Sequence, residues 1–184
     1  MQKQVKNLLK SLEKTRHLYW NVSREVGEFL NILIKDRKFK KILEIGTSNG
    51  YSGIWMAEAL QKNKGKLYTI ESNQKSRFGL SQKNFKKSGL QKNIVNILGH
   101  APENLPKIPQ NFDMAFFDAT KHEHLSYFEA LKNRITKNGI IITDNAISHK
   151  KELKEYIKKV KSEKNWFSVI LNIGTGLMIS QKIL

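Results

Sequence analysis

The chain has 184 residues, no Cys and a formal net charge of +17. That length suits one sheet with helices on both faces, and the lack of Cys excludes a disulfide framework and any thiolate metal site. A surface this basic attracts polyanions such as RNA, yet 28 of its 33 basic residues are Lys and five are Arg, the side chain that specific phosphate and base contacts favour, so a solvated Lys coat fits equally.

The first residues, Gln2, Lys3, Gln4, Lys6 and Asn7, lack the apolar core of a signal peptide, and no apolar run is long enough to cross a bilayer. A cytoplasmic protein of one domain is expected, with N-terminal helices over 1–39 and an α/β core over 40–184. Val5, Leu8, Leu9 and Leu12 recur at helical spacing. A second helix is predicted from the cap Ser23, with Glu25 and Glu28 early and a stripe of Val26, Phe29, Leu30 and Leu33. Tyr19-Trp20, between them, suits packing or the rim of a pocket.

From Lys41 to Ser52 an apolar strand (Ile42, Leu43, Ile45) runs into a glycine turn and then a helix begun by Ile54, Ala57 and Leu60. Gly46 and Gly50 stand where a side chain would collide with the reversing chain, and such a turn is expected to present backbone N–H groups to a ligand. The spacing Gly46, Gly50, Gly53 departs from the G-x-G-x-x-G of dinucleotide-binding turns, which disfavours a nicotinamide cofactor. Glu44 points the same way. A carboxylate beside the turn repels pyrophosphate and suits a positively charged cofactor such as S-adenosylmethionine, with its sulfonium and ammonium. The turn by itself fits equally any α/β domain that joins a strand to a helix.

Lys66 to Glu71 is predicted as a second strand ending in an acid. Glu71 lies about 25 residues past Gly46, where a doubly wound sheet places the carboxylate that accepts both hydroxyls of a ribose. A helix marked by Phe78, Leu80 and Phe85 stops near Ser88-Gly89, and Ile94 to Leu98 forms a third strand. Gly99-His100-Ala101-Pro102 follows at the same sheet edge, with His100 either bordering an adenine or merely on the surface. Pro102, Pro106 and Pro109 punctuate a short helix and loop.

Phe112 to Asp118 and Gly139 to Asn145 are two further strands that end in oxygen-bearing side chains. Ligands of open α/β sheets gather beyond the carboxyl ends of strands, so neighbouring strands would bring Asp118, Asp144 and Asn145 together. Two carboxylates and an amide are hard donors of the kind Mg²⁺ takes, with positions left for water or substrate. Lys121, just past Asp118, is near enough to act as a base if burial and the cation lower its pKa. Each acid alone could instead cap a helix. On a helix the rings of His122 and His124 would diverge, so His122-Glu123-His124 is taken as the start of an exposed helix whose buried stripe is Leu125, Phe128, Leu131 and Ile135. Leu153, Tyr156, Ile157 and Val160 mark the last helix. Trp166 to Ile173 and Leu177 to Ile183 form a closing antiparallel hairpin across Gly174-Thr175-Gly176.

Ile42 to Ser52 (ILEIGTSNGYS), Tyr68 to Glu71 (YTIE), Phe116 to Lys121 (FFDATK) and Thr143 to Asn145 (TDN) resemble, in order and spacing, the cation-dependent O-methyltransferases, the family of catechol and caffeoyl-CoA O-methyltransferase. The resemblance covers roughly residues 20 to 184. It implies a doubly wound, Rossmann-like class I methyltransferase sheet of seven strands with a reversed last strand and helices on both faces. It places Glu44, Gly46, Thr47, Gly50, Ser52, Glu71, Ser72, His100, Ala101 and Asp118 around S-adenosylmethionine, Glu71 on the ribose. Asp118, Asp144 and Asn145 would hold Mg²⁺ or another hard divalent cation, with Lys121 as base. Three features depart from the family's pattern: Ser48 replaces a bulkier residue, the loop from Ala146 to His149 is short, and Thr175 stands where an acid is common. They bear on the acceptor, a small catechol-like or diol molecule, with tRNA hydroxyuridine as the alternative because the family includes such an enzyme. A non-catalytic cofactor-binding module is the remaining possibility, and a homodimer is implied by relatives.

Overall fold

The computed structural model describes residues 1–184. Its elements run α1 (Lys3–Glu13), α2 (Arg16–Tyr19), α3 (Arg24–Asp36), β1 (Lys41–Ile45), α4 (Tyr51–Asn63), β2 (Lys66–Glu71), α5 (Gly79–Ser88), β3 (Ile94–Leu98) and α6 (Ala101–Asn104). There follow β4 (Phe112–Phe117), α7 (His124–Leu131), β5 (Ile135–Thr143), α8 (Lys154–Ser162), β6 (Trp166–Leu171) and β7 (Leu177–Lys182). The strands form one sheet in the order β3-β2-β1-β4-β5-β7-β6. β1 to β5 are parallel, and β7 runs antiparallel to both β5 and β6. The expected sheet, reversed strand included, is therefore present. The strand order turns back between β1 and β4, the place where doubly wound sheets open a crevice at their carboxyl ends.

Alternation along the strands builds a core on each face. From β1, Ile42 enters the layer of α1, α3, α4 and α5 with Val5, Leu9, Val26 and Leu30, whereas Leu43 and Ile45 enter the layer of α6, α7 and α8 with Phe117, Phe128 and Tyr156. α4 is buried without a break from Tyr51 to Leu60, because it lies between the sheet and the N-terminal helices. Gly27 is where α3 meets it: a Cβ there would lie 2.4 Å from the Trp55 ring. Buried Glu58 fixes the same contact, accepting from Asn31 Nδ2 at 2.7 Å and pairing with Lys35 at 2.6 Å.

Ser23 caps α3 as expected, its hydroxyl accepting from Val26 N–H. The buried stripe is turned relative to the sequence expectation: Val26, Leu30 and Ile34 are buried with Gly27 and Asn31, while Phe29 and Leu33 are only half-buried. The polar Asn31 and small Gly27 belong to the face because α4 comes so close. The helix after β2 starts as one turn of π-helix, Gln74–Phe78, before α5.

β5 begins at Ile135, earlier than Gly139, so Ile135 pairs with Phe112 in the sheet and does not extend the stripe of α7. A register irregularity between Phe112 and Met114 absorbs the polar Thr136-Lys137-Asn138, with Asn138 in the left-handed region. His122 is exposed and His124 fully buried, so the rings diverge, yet the helix start is not the exposed one expected. His124 packs on Phe117, Tyr127 and Tyr156. Burial first, and the Lys121 charge second, bring its pKa down to about 3, which leaves the ring neutral.

Candidate functional site

The carboxyl ends of the strands open into a cavity of about 990 Å³. Gly46 and Ser48 reach it from the turn after β1, Glu71 and Ser72 from β2, and His100 and Ala101 from β3. Asp118 and Lys121 follow β4, and Asp144 and Asn145 follow β5. Five separate strand ends thus contribute to one wall, as the parallel topology dictates.

Gly46 and Gly50 have φ of 101° and 87°. A Cβ on Gly46 would lie 2.1 Å from the carbonyl oxygen of Asp118, and one on Gly50 would lie 2.7 Å from Phe85. Three amides of the turn are already engaged: Gly46 N–H donates to the Ile70 carbonyl, Gly50 N–H to that of Thr47, and Ser48 N–H to Glu71 Oε2 at 2.7 Å. These N–H groups close the loop and do not await a ligand. Asn73 N–H donates to the other oxygen, Oε1, at 2.8 Å, so Glu71 is held rigidly with lone pairs left to accept two further hydroxyls.

Glu44 stands elsewhere. It is fully buried, with Ser52 Oγ donating to Oε1 and Thr69 Oγ1 to Oε2, and Thr69 in turn bonded to Thr47 Oγ1. Burial pushes its carboxyl up to about 8 against those two hydrogen bonds. Glu44, Thr47, Gly50 and Ser52 therefore lie behind the wall and shape the turn, and none of the four lines the cavity. A largely neutral acid at that depth does not supply the countercharge expected from the sequence.

Asp118 Oδ1 accepts from Lys121 Nζ at 3.1 Å. Burial, followed by the charge of Asp118, raises the Asp144 carboxyl to about 6, so the two acids are close enough to repel. Thr175, from the β6–β7 turn, donates from Oγ1 to Asp144 Oδ1 at 2.7 Å and accepts from Asn145 Nδ2 at 3.1 Å. No group of three or more His, Cys, Asp and Glu side chains forms a metal cluster. What the site offers is two mutually repelling carboxylates and an amide, hard donors whose repulsion a divalent cation would relieve.

Sequence reasoning missed much of the mouth. Arg77, from the π-helical turn, lies 4.7 Å over the ring of Trp20, and both line the cavity with Arg16 and His17. Trp20 is the rim residue its position allowed, 73% exposed and left-handed. His100 is an exposed rim residue too, its two ring nitrogens 2.7 Å from Glu103 and 2.9 Å from Glu123, and both acids raise its pKa. The only signal for Arg77 was the rarity of Arg in this chain.

A family model described as O-methyltransferase matches residues 2–183. The chain is 38% identical over 139 residues to a catechol O-methyltransferase of Niastella koreensis, covering 73% of this chain and 62% of the relative. It is 29% identical over 127 residues to a catechol O-methyltransferase of Mycobacterium tuberculosis, covering 68% and 57%. The chain thus spans about three-fifths of the length of these curated relatives. Among solved structures, an O-methyltransferase from Bacillus cereus in complex with SAH superposes with a TM-score of 0.85 at 23% identity, covering 99% of this chain and 91% of that one. The SAH-bound Podospora anserina methyltransferase PaMTH1 gives 0.89 at 22% identity, covering 99% and 88%. These two share the fold. By the match over residues 2–183, the chain belongs to the O-methyltransferase family.

Proposed function

We propose that this chain is an S-adenosylmethionine-dependent O-methyltransferase that requires a divalent cation, Mg²⁺ first, and methylates a small acceptor with two adjacent hydroxyls. The observation that carries it is the meeting of Glu71, Asp118, Lys121, Asp144 and Asn145 on one cavity from three strand ends. The names of two relatives, and the SAH in the Bacillus cereus structure, support the cofactor and the acceptor class.

Glu71, fixed by two backbone amides, binds the ribose diol. Ser72, His100 and Ala101 border the adenine side, and Gly46 leaves room where the chain passes Asp118. Asp118, Asp144 and the Asn145 oxygen would hold the cation, which would supply Lewis-acid charge that lowers the pKa of an acceptor hydroxyl. Lys121 Nζ, beside Asp118, takes that hydroxyl's proton. The acceptor oxygen then forms its bond to the methyl carbon as the bond from sulfur to that carbon breaks. Orientation in the cavity supplies much of the rate.

Labelled S-adenosylmethionine, offered with a panel of catechols, monophenols and total tRNA, with and without Mg²⁺, tests the proposal. Label is expected in the catechols only when Mg²⁺ is present. Transfer to tRNA alone would replace the acceptor, and no transfer to any hydroxyl would leave a cofactor-binding module.

A further inference from the structure

We infer that Thr175 is a positioning residue of the cation site: its hydroxyl is the middle of a one-way hydrogen-bond relay that turns the Asn145 oxygen towards the cation and holds Asp144 in place. This role rests on the cation site proposed above.

The argument is one of donor counting. A threonine hydroxyl has a single hydrogen, and here it goes to Asp144 Oδ1 at 2.7 Å. A carboxylate has no hydrogen to return. The Thr175 oxygen can therefore meet Asn145 only as an acceptor, which requires the amide nitrogen on that side, as found at 3.1 Å. The remaining bond from Asn145 Nδ2, to Ser148 Oγ at 3.4 Å, is again donated by nitrogen. With Nδ2 engaged twice, Oδ1 is directed away from Thr175. Asn145 also sits at φ 65°, a left-handed conformation that Asn tolerates better than most residues, so its backbone is set for this direction.

Thr175 is itself held firmly. Its carbonyl accepts from Ile147 N–H at 3.3 Å and Ser148 N–H at 3.0 Å, and Ala146 N–H donates to the Gly176 carbonyl at 2.9 Å. The loop after β5 is thereby clamped to the β6–β7 turn. A Cβ on Gly176 would lie 2.4 Å from Ile147, so the clamp closes only with glycine there. Short loop and hairpin are thus one unit, and the hydroxyl stands between two donors of the candidate cation site. An acid at position 175 could not donate to Asp144 and would repel it; a neutral hydroxyl can do both jobs.

Thr175→Val keeps the shape and removes the relay, whereas Thr175→Ser keeps the hydroxyl. Mn²⁺ binding, followed by electron paramagnetic resonance without acceptor, is expected to weaken about 10- to 100-fold in Thr175→Val and no more than about threefold in Thr175→Ser. SAH affinity should stay unchanged in both. Wild-type Mn²⁺ affinity in Thr175→Val, or equal losses in the two variants, would overturn the role. The side-chain NH₂ resonances of Asn145, assigned through their loss in Asn145→Asp, give a reading without metal. They are expected to shift and exchange faster in Thr175→Val and to stay in place in Thr175→Ser; unmoved resonances in Thr175→Val would overturn the relay. Should wild-type protein bind no Mn²⁺ while those resonances behave as expected, the cation site has failed and the relay is a structural clamp only, which overturns Thr175's role towards a cation.

Discussion

Gly46 and Asp118, far apart in sequence, meet backbone to backbone: a single added Cβ on Gly46 would stand 2.1 Å from the Asp118 carbonyl oxygen. The turn after β1 and the loop carrying Asp118 and Lys121 are thus one packed unit, tied also by the Asp118 N–H bond to the Ile45 carbonyl at 3.0 Å. Gly46→Ala combines this collision with a φ of 101° and is expected to cost at least about 1–3 kcal/mol in urea unfolding. Gly79→Ala, where the new Cβ meets nothing within 4 Å, is the control and should be neutral or slightly stabilising.

Glu71 accepts from Ser48 and Asn73 N–H before any ligand arrives. Removing the carboxylate in Glu71→Ala is expected to weaken S-adenosylmethionine binding about 10- to 100-fold, the loss of charged hydrogen bonds of about 1.5–3 kcal/mol. Isothermal calorimetry measures this. Wild-type affinity would remove Glu71 from the ribose.

Lys121→Met takes away the proposed proton acceptor and leaves the cavity's shape nearly intact. The turnover rate is expected to fall about 10²- to 10⁴-fold while cofactor affinity stays within a few-fold. An unchanged rate across pH would rule out Lys121 as base.

Glu44 makes the stability of the fold depend on pH. Its folded-state pKa is about 8 against an ordinary 4.5, so between these values the folded chain keeps a proton that the unfolded chain has lost. Stability therefore falls as pH rises through that window. Glu44→Gln removes the titration, and its urea midpoint should change less than wild type's between about pH 5 and about pH 8. Equal slopes in the two proteins would show that Glu44 does not titrate there.

The sheet was legible because its strands are apolar runs bounded by glycine, proline or polar turns, and their carboxyl ends announced Glu71, Asp118, Asp144 and Asn145 through oxygen side chains at the point where each run stops. Residues placed by tertiary contact were not. The place of Glu44 next to the turn points it to the crevice, but strand alternation and the hydroxyls of Ser52 and Thr69 bury it behind. Helical spacing puts Ile135 in the stripe of α7, whereas its pairing with Phe112 puts it at the start of β5. Trp20 over Arg77 joins segments with no shared pattern in sequence. Thr175 looked only like a missing acid until the structure put its hydroxyl between Asp144 and Asn145.

The most direct measurement of whether Asp118, Asp144 and Asn145 hold a working cation is methyl transfer to a catechol after exhaustive EDTA treatment, followed by titration with Mg²⁺. Turnover is expected to vanish in EDTA and return with added Mg²⁺, and to stay absent at every Mg²⁺ concentration in Asp144→Ala although that variant still binds S-adenosylmethionine. Full turnover in EDTA would contradict it.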